Sequence, residues 1–330
     1  MPYDCRRFLR WITEEFEPSV RLPGPAGSYA REVGARETEL YGISDMACIL
    51  YTLGRLRPTE KERAEWNQNF QSLQDPVTGC YLERQRTHIP LHNTAFALGA
   101  MELLELGPAR PLVFAREYAA PEKLRAFLEG LAWRKTVYKD SHAGAGLASV
   151  MVLAPGLVGP DWFASYFAWL DARFDPRNGM LGQDKPDGGD FDQIGGTFHY
   201  HFLYEFFRRR MPFPERRIDA IIGLQQPDGY WHPQNHLWLT LDAVYMLTRT
   251  VRHCHHRPRD VEGVVRRVLE VFMSEVISPD GRARHFGGRL GVHCLTAVVS
   301  LLAEAQQFLG AEEVLTEMPL RLVLDRRPFI

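Results

Sequence analysis

The chain is poor in the features that usually place a protein quickly. Its five cysteines, Cys5, Cys48, Cys80, Cys254 and Cys294, are odd in number, widely spaced and never in a C-x-x-C pair, which excludes a disulfide framework as the organising element. A reducing, cytoplasmic interior is the expectation, with the thiols as small apolar packers. The net charge is only −2 and no Lys/Arg block occurs, so electrostatics offers no case for nucleic acid or an anionic membrane as the main partner. No apolar run approaches the ~20 residues that a membrane span needs. The stretch from Met1 to Phe16 mixes charge with apolar residues and lacks the apolar core of a signal peptide. A Walker phosphate loop, a dinucleotide fingerprint after a strand and a nucleophile elbow are also missing.

What is present is a repeat. A helix-ending phrase reads Leu73-Gln74-Asp75-Pro76-Val77-Thr78-Gly79, then Arg173-Phe174-Asp175-Pro176-Arg177-Asn178-Gly179, then Leu224-Gln225-Gln226-Pro227-Asp228-Gly229-Tyr230-Trp231, then Val276-Ile277-Ser278-Pro279-Asp280-Gly281. The residue before proline is pushed out of the α region, so the helix stops. Proline then suits the first corner of a turn, and glycine supplies positive φ at its end. By themselves these phrases are helix-ending turns, and their value is to mark one structural unit.

Period and capping signals give six amphipathic helices near 4–16, 59–74, 121–134, 160–174, 214–226 and 259–276. Between them lie six more apolar segments near 44–54, 92–106, 142–154, 192–208, 237–250 and 289–308. A helix apolar nearly all round needs a dry environment, whereas an amphipathic one needs a single wet face. Six apolar helices inside and six amphipathic ones outside satisfy both. Closing the hairpins on themselves also removes the exposed ends of an open solenoid. The expected fold is therefore all-α: one (α/α)6 toroid domain over residues 1–330, with hairpin units 4–54, 59–106, 121–154, 160–208, 214–250 and 259–308, and a tail, 309–330, docked across the outside.

The phrase Gln225-Gln226-Pro227-Asp228-Gly229-Tyr230-Trp231, together with the hairpin period, resembles the repeat of terpenoid cyclases and protein prenyltransferase β subunits. The resemblance implies the toroid and a central pocket, and leaves the reaction open. Prenyltransferases hold zinc with Asp-x-Cys and a later His. Asp242 and His293 fall at matching places, but Val244 stands where the cysteine belongs, so a zinc site of prenyltransferase type is not expected. Class II cyclases carry Asp-x-Asp-Asp; here Asp190-Phe191-Asp192-Gln193 replaces the last acid by glutamine. The resemblance then makes Asp192 the proton donor, with Asp190 as its tuner through like-charge repulsion.

Aligning the starts of the apolar helices places one polar residue per unit: Asp45, Asn93, His142, His199, Asp242 and His293. In a toroid these converge at one mouth of the ring, where helix N-termini also point. The expected site is a small-molecule pocket with Asp190, Asp192 and His199 as catalytic groups, walled by Asp45, His92, Asn93, His142, Tyr200, Trp231, His236, Asp242 and His293. Helix caps and hydrogen-bonded core histidines are the competing readings of the same residues. No ligand set spaced for a metal is evident, and the cofactor is open. Three functions fit: protonation-initiated chemistry on a small or isoprenoid-like substrate; a carbohydrate-active toroid; or a non-catalytic binding toroid, which the missing Cys and missing third Asp suit. In the carbohydrate case a lyase would use His199 or Tyr200 as base, with Asn93 or His142 against a uronate, and a hydrolase would pair Asp45 with Asp242 or Asp192. His253-Cys254-His255-His256 reads as a basic exposed loop able to pick up zinc or nickel adventitiously.

Overall fold

The computed structural model describes all of the chain except residues 86, 134–136, 183–189, 233, 235, 236, 289, 290, 329 and 330. It is predominantly helical. Among the described residues, twelve principal helices alternate, beside a few short ones, as α1 (Arg6–Trp11, continued by a π-helical turn Ile12–Phe16), α2 (Leu40–Thr52), α3 (Glu60–Ser72), α4 (Pro90–Leu103), α5 (Pro121–Gly130), α6 (Val137–Leu153), α7 (Pro160–Asp171), α8 (Asp190–Phe206), α9 (Pro214–Leu224), α10 (Leu237–Cys254), α11 (Pro258–Val271) and α12 (Gly291–Leu309). Each overlaps its expected segment, and the ends differ by a few residues.

Local chemistry sets these boundaries. In α3, Thr59 accepts from the Glu62 amide while the Glu62 carboxylate accepts from the Thr59 amide, a reciprocal capping box. Proline opens α4, α5, α7, α9 and α11, where its missing N–H costs nothing. In the recurring turns, the Asp75 carboxylate accepts from the amides of Val77 and Thr78, and Asp175 accepts from the Arg177 amide. Gly79, Gly179 and Gly229 take φ of 81°, 67° and 91°, a region open chiefly to glycine. The fourth phrase behaves differently. Ser278 accepts from the Gly281 amide and caps a short helix, Pro279–Phe286, so the chain turns by a helix instead of a glycine corner.

The even-numbered helices are the apolar ones. α2 packs on α4, α4 on α6, α6 on α8, α8 on α10 and α10 on α12, and α12 returns to α2. The odd-numbered helices each bury one stripe. In α11 this is Val261, Val264, Val265, Val268 and Leu269, the spacing of a single helical face. Fully burying each such side chain contributes about 1.5–3 kcal/mol. α12 is long and apolar enough to cross a membrane, but 78% of that window is buried inside the protein, so its apolar character is used in the core.

The tail departs from expectation. Val314–Leu315 pairs in parallel with Tyr3–Asp4, and Val314 is buried. Beyond it, Arg327 is wholly buried. Its Nη2 lies 2.7 Å from Cys48 Sγ on α2, its guanidinium stands 5.2 Å from the Phe96 ring on α4, and the Pro328 carbonyl accepts from Ser149 Oγ on α6 at 3.1 Å. Arg327 and Pro328 thus insert among the apolar helices. The sequence offers no sign of this, because a lone arginine reads as a surface residue.

Candidate functional site

Five imidazoles gather among the apolar helices. His92 on α4 lies with its ring centroid 4.4 Å from that of His142 on α6, and His142 lies 4.8 Å from His199 on α8. His88, just before α4, stacks on His92 at 4.7 Å and is 5.8 Å from His293 on α12. One ring nitrogen from each of His92, His142 and His199 falls within 4.8 Å of the others, so among the described residues these three could share a metal ion.

Hydroxyl groups orient two of these rings. Ser141 Oγ donates to the Tyr138 carbonyl and lies 2.8 Å from His199 Nδ1. Since the hydroxyl has one proton and spends it on the carbonyl, it receives the His199 Nδ1–H. Tyr41 Oη donates to Asn93 Oδ1 at 3.2 Å and lies 2.8 Å from His92 Nδ1, which by the same logic carries its proton on Nδ1. Both tautomers follow from the hydrogen-bond network, and both put the lone pair on Nε2. Burial, reinforced by the neighbouring imidazoles, drives the pKa of His92 and of His142 well below the usual value. Burial and then His88 bring His199 down to about 3. The three rings are therefore neutral at neutral pH.

A second constellation adjoins the first. His293 Nδ1 stands 3.1 Å from both carboxylate oxygens of Asp45, which is completely buried. Burial lowers the His293 pKa and Asp45 partly offsets the shift. The Trp238 ring lies 4.2 Å from that of His293, and one turn further along α10 is Asp242. A Cβ placed at Gly195 on α8 would meet the Asp242 carboxylate at 3.3 Å. Burial raises the Asp242 pKa well above the ordinary carboxylate value. Tyr138 lies close enough to Asp242 for the two to interact electrostatically, and its ring packs on both His142 and His199.

The loop before α4 is tied down by a buried ion pair. Arg31 Nη1 is 2.9 Å from Glu83 Oε2, and Thr87 bridges the two. The guanidinium lies 4.8 Å from the Tyr41 ring, so the pair supports the hydroxyl that orients His92. A surface cavity of about 670 Å³, lined in part by Glu83, Arg84, His88 and Asn93, reaches this edge of the cluster. A groove of about 740 Å³ between α1 and the helix Pro279–Phe286 is larger, but contains none of these buried groups.

The sequence-derived site is thus divided. Asp45 meets His293; His92, His142 and His199 meet one another; Asn93 joins them through Tyr41; Asp242 adjoins Tyr138. Asp192 Oδ2 accepts from the Tyr138 amide at 3.3 Å in the first turn of α6, and burial raises its pKa. Tyr200 and Trp231 lie elsewhere. Tyr200 packs against Trp133, with ring centroids 5.5 Å apart, and Trp231 Nε1 donates to the Ile221 carbonyl on α9. Tyr200 follows His199 directly and so leaves on another face of the helix. His236 and the Asp190 side chain lie outside the described residues. Sequence reasoning passed over Tyr41 and Tyr138, yet a signal was there: Tyr41, Tyr138 and Trp238 each stand four residues before Asp45, His142 and Asp242, one turn earlier on the same face.

Compared with protein-family models, with curated proteins and with solved structures, the chain matches none.

Proposed function

We propose that the chain is an enzyme built as a closed (α/α)6 toroid, whose six apolar helices wall a pocket for acid–base chemistry on an apolar, isoprenoid-like small molecule. Support for the toroid comes from the neighbour order of the even-numbered helices, in which the last packs on the first. Five unpaired cysteines accord with the cytoplasmic setting that belongs to this reading.

The observation that carries the chemistry is the Asp45–His293 pair, with the buried Asp242 one turn along α10 from Trp238, whose ring packs on His293. A carboxylate holding Nδ1–H leaves the imidazole lone pair on Nε2, the arrangement of an oriented general base. The lowered pKa keeps that base neutral and ready at neutral pH. Asp242 is shifted the other way and keeps its proton, so it can donate one. Asp242 replaces Asp192 as the preferred acid, because Asp192 already serves the backbone at the start of α6.

An acid and a base together can protonate one alkene carbon and remove a proton from another. The substrate is then isomerised or cyclised with no net gain of atoms and no co-reactant. Aromatic walls favour such a substrate over a sugar: Tyr41, Phe96 and Trp238 surround His293, and Phe198 adjoins His199.

The test is untargeted. Wild-type protein is incubated with a lipid-containing metabolite extract and followed by mass spectrometry, beside Asp242→Asn and His293→Gln. The expected result is a depleted apolar species replaced by an isomer of equal mass, in the wild type only. Depletion of a uronate or saccharide would overturn the substrate class. Unchanged turnover in both variants, or no turnover at all, would overturn the acid–base reading.

A further inference from the structure

The three convergent histidines go beyond that reading, since the acid–base pair needs none of them. We propose that His92, His142 and His199 hold one divalent ion of the zinc class through their Nε2 atoms. Three features of the site support this.

The first is ligand supply. Zinc takes imidazole nitrogen at ~2.0–2.1 Å, so tetrahedral ligands sit about 3.3 Å apart. The ring nitrogens here span at most 4.8 Å, and ring movements of roughly 1 Å close the remainder. The helices α4, α6 and α8 are consecutive neighbours in the packing order, so each ligand comes from a rigid element and the set needs no loop.

The second is the outer layer. Metal-bound histidines commonly donate their other ring N–H to a fixed acceptor, which sets tautomer and orientation. His199 meets Ser141 Oγ at 2.8 Å and His92 meets Tyr41 Oη at 2.8 Å. Both hydroxyls have committed their own protons, to the Tyr138 carbonyl and to Asn93 Oδ1. Two rings are thus turned so that the lone pair lies on Nε2.

The third is the donor set. Three neutral imidazoles without thiolate suit zinc, cobalt or nickel better than magnesium or calcium, which prefer oxygen. Three protein ligands are also the number that leaves a position open for water or substrate. This is not the prenyltransferase arrangement: neither Asp242 nor His293 takes part, and Val244 stays uninvolved. His88, stacked on His92, stands beside the set as a further imidazole.

The experiment uses the full chain stripped by a chelator, with zinc alone as the probe. Affinity is measured by competition against a chromophoric chelator in four proteins: wild type, His142→Ala, Asp45→Asn, and a variant with His253, His255 and His256 changed to alanine. One zinc per chain is expected in wild type, retained when the 253–256 tract is removed and weakened at least ~100-fold in His142→Ala, beyond the loss usual for an outer-layer change. Asp45→Asn should still bind zinc, which separates failure of the metal site from failure of the acid–base reading. In case His142→Ala does not fold, wild-type protein carrying ¹⁵N-histidine gives an independent readout. Zinc should shift Nε2 of His92, His142 and His199 while Nδ1 of His92 and His199 stays protonated. Zinc binding that vanishes with the 253–256 tract, or that leaves those three imidazoles unshifted, would overturn the proposal.

Discussion

Replacing Glu83 by glutamine tests how the site is held together. Glu83 and Arg31 are both shielded from solvent and pair at 2.9 Å, with Thr87 bonded to each. Glutamine keeps the shape but leaves the Arg31 guanidinium buried without its counter-charge. Breaking a buried pair from one side typically costs about 3–5 kcal/mol. For a chain of 330 residues that corresponds to a melting-point fall of roughly 4–7 °C. The pH dependence gives a second handle. Burial pushes the Glu83 carboxyl up, but hydrogen bonds from His88 and Thr87 outweigh it and bring the pKa from 4.5 to about 2. A depressed carboxylate contributes stability that is complete above its unfolded pKa and is lost as pH falls toward the folded one. The gap between wild type and Glu83→Gln should therefore be full at pH 7 and narrow from about pH 4.5 downward. Circular dichroism melts and urea titrations at pH 7 and pH 3.5 measure it. Replacing both partners, Arg31→Met with Glu83→Leu, should recover about half of the loss, since no charge is then stranded. A loss below ~1 kcal/mol for Glu83→Gln, the range of an exposed pair, would refute the reasoning.

Two further expectations concern the apolar helices. Asp242 is buried with its pKa raised well above 3.8, so its stabilising neutral form costs more to keep as pH rises past the unfolded value. Asp242→Asn should gain on wild type between pH 4 and pH 7.5 in urea titrations, and a constant difference would show that the carboxyl is not held neutral. At Gly42, in the first turn of α2, a Cβ would meet the Tyr29 and Ala30 carbonyl oxygens at 2.5 and 2.6 Å. Backbone cannot step aside as a flexible side chain would, so Gly42→Ala should destabilise by ~1–3 kcal/mol; a neutral result in a thermal melt would mean that residues 29–30 are held more loosely than this contact implies.

Much of the architecture was legible before any coordinates. Binary pattern separates the two helix classes, because a helix with no wet face has only one environment open to it. Proline and glycine punctuation sets the period, because both act through the local backbone. The polar residue in each apolar helix was also visible as a repeat position. Its grouping was not. Asp45 and His293 lie 248 residues apart in sequence and 3.1 Å apart in space. Only the return of α12 to α2 brings them together.

The sequence by itself determined which segments are helices, which of them must be dry and which residues are polar in a dry place, since each depends on spacing and composition within one or two turns. Tertiary structure alone decided that His92, His142 and His199 face one another, that Tyr200 and Trp231 pack elsewhere, and that Arg327 lies inside the helix assembly. The physical reason is rotation. A single step along a helix turns a side chain by about 100°, and packing between helices far apart in the chain fixes which face looks inward.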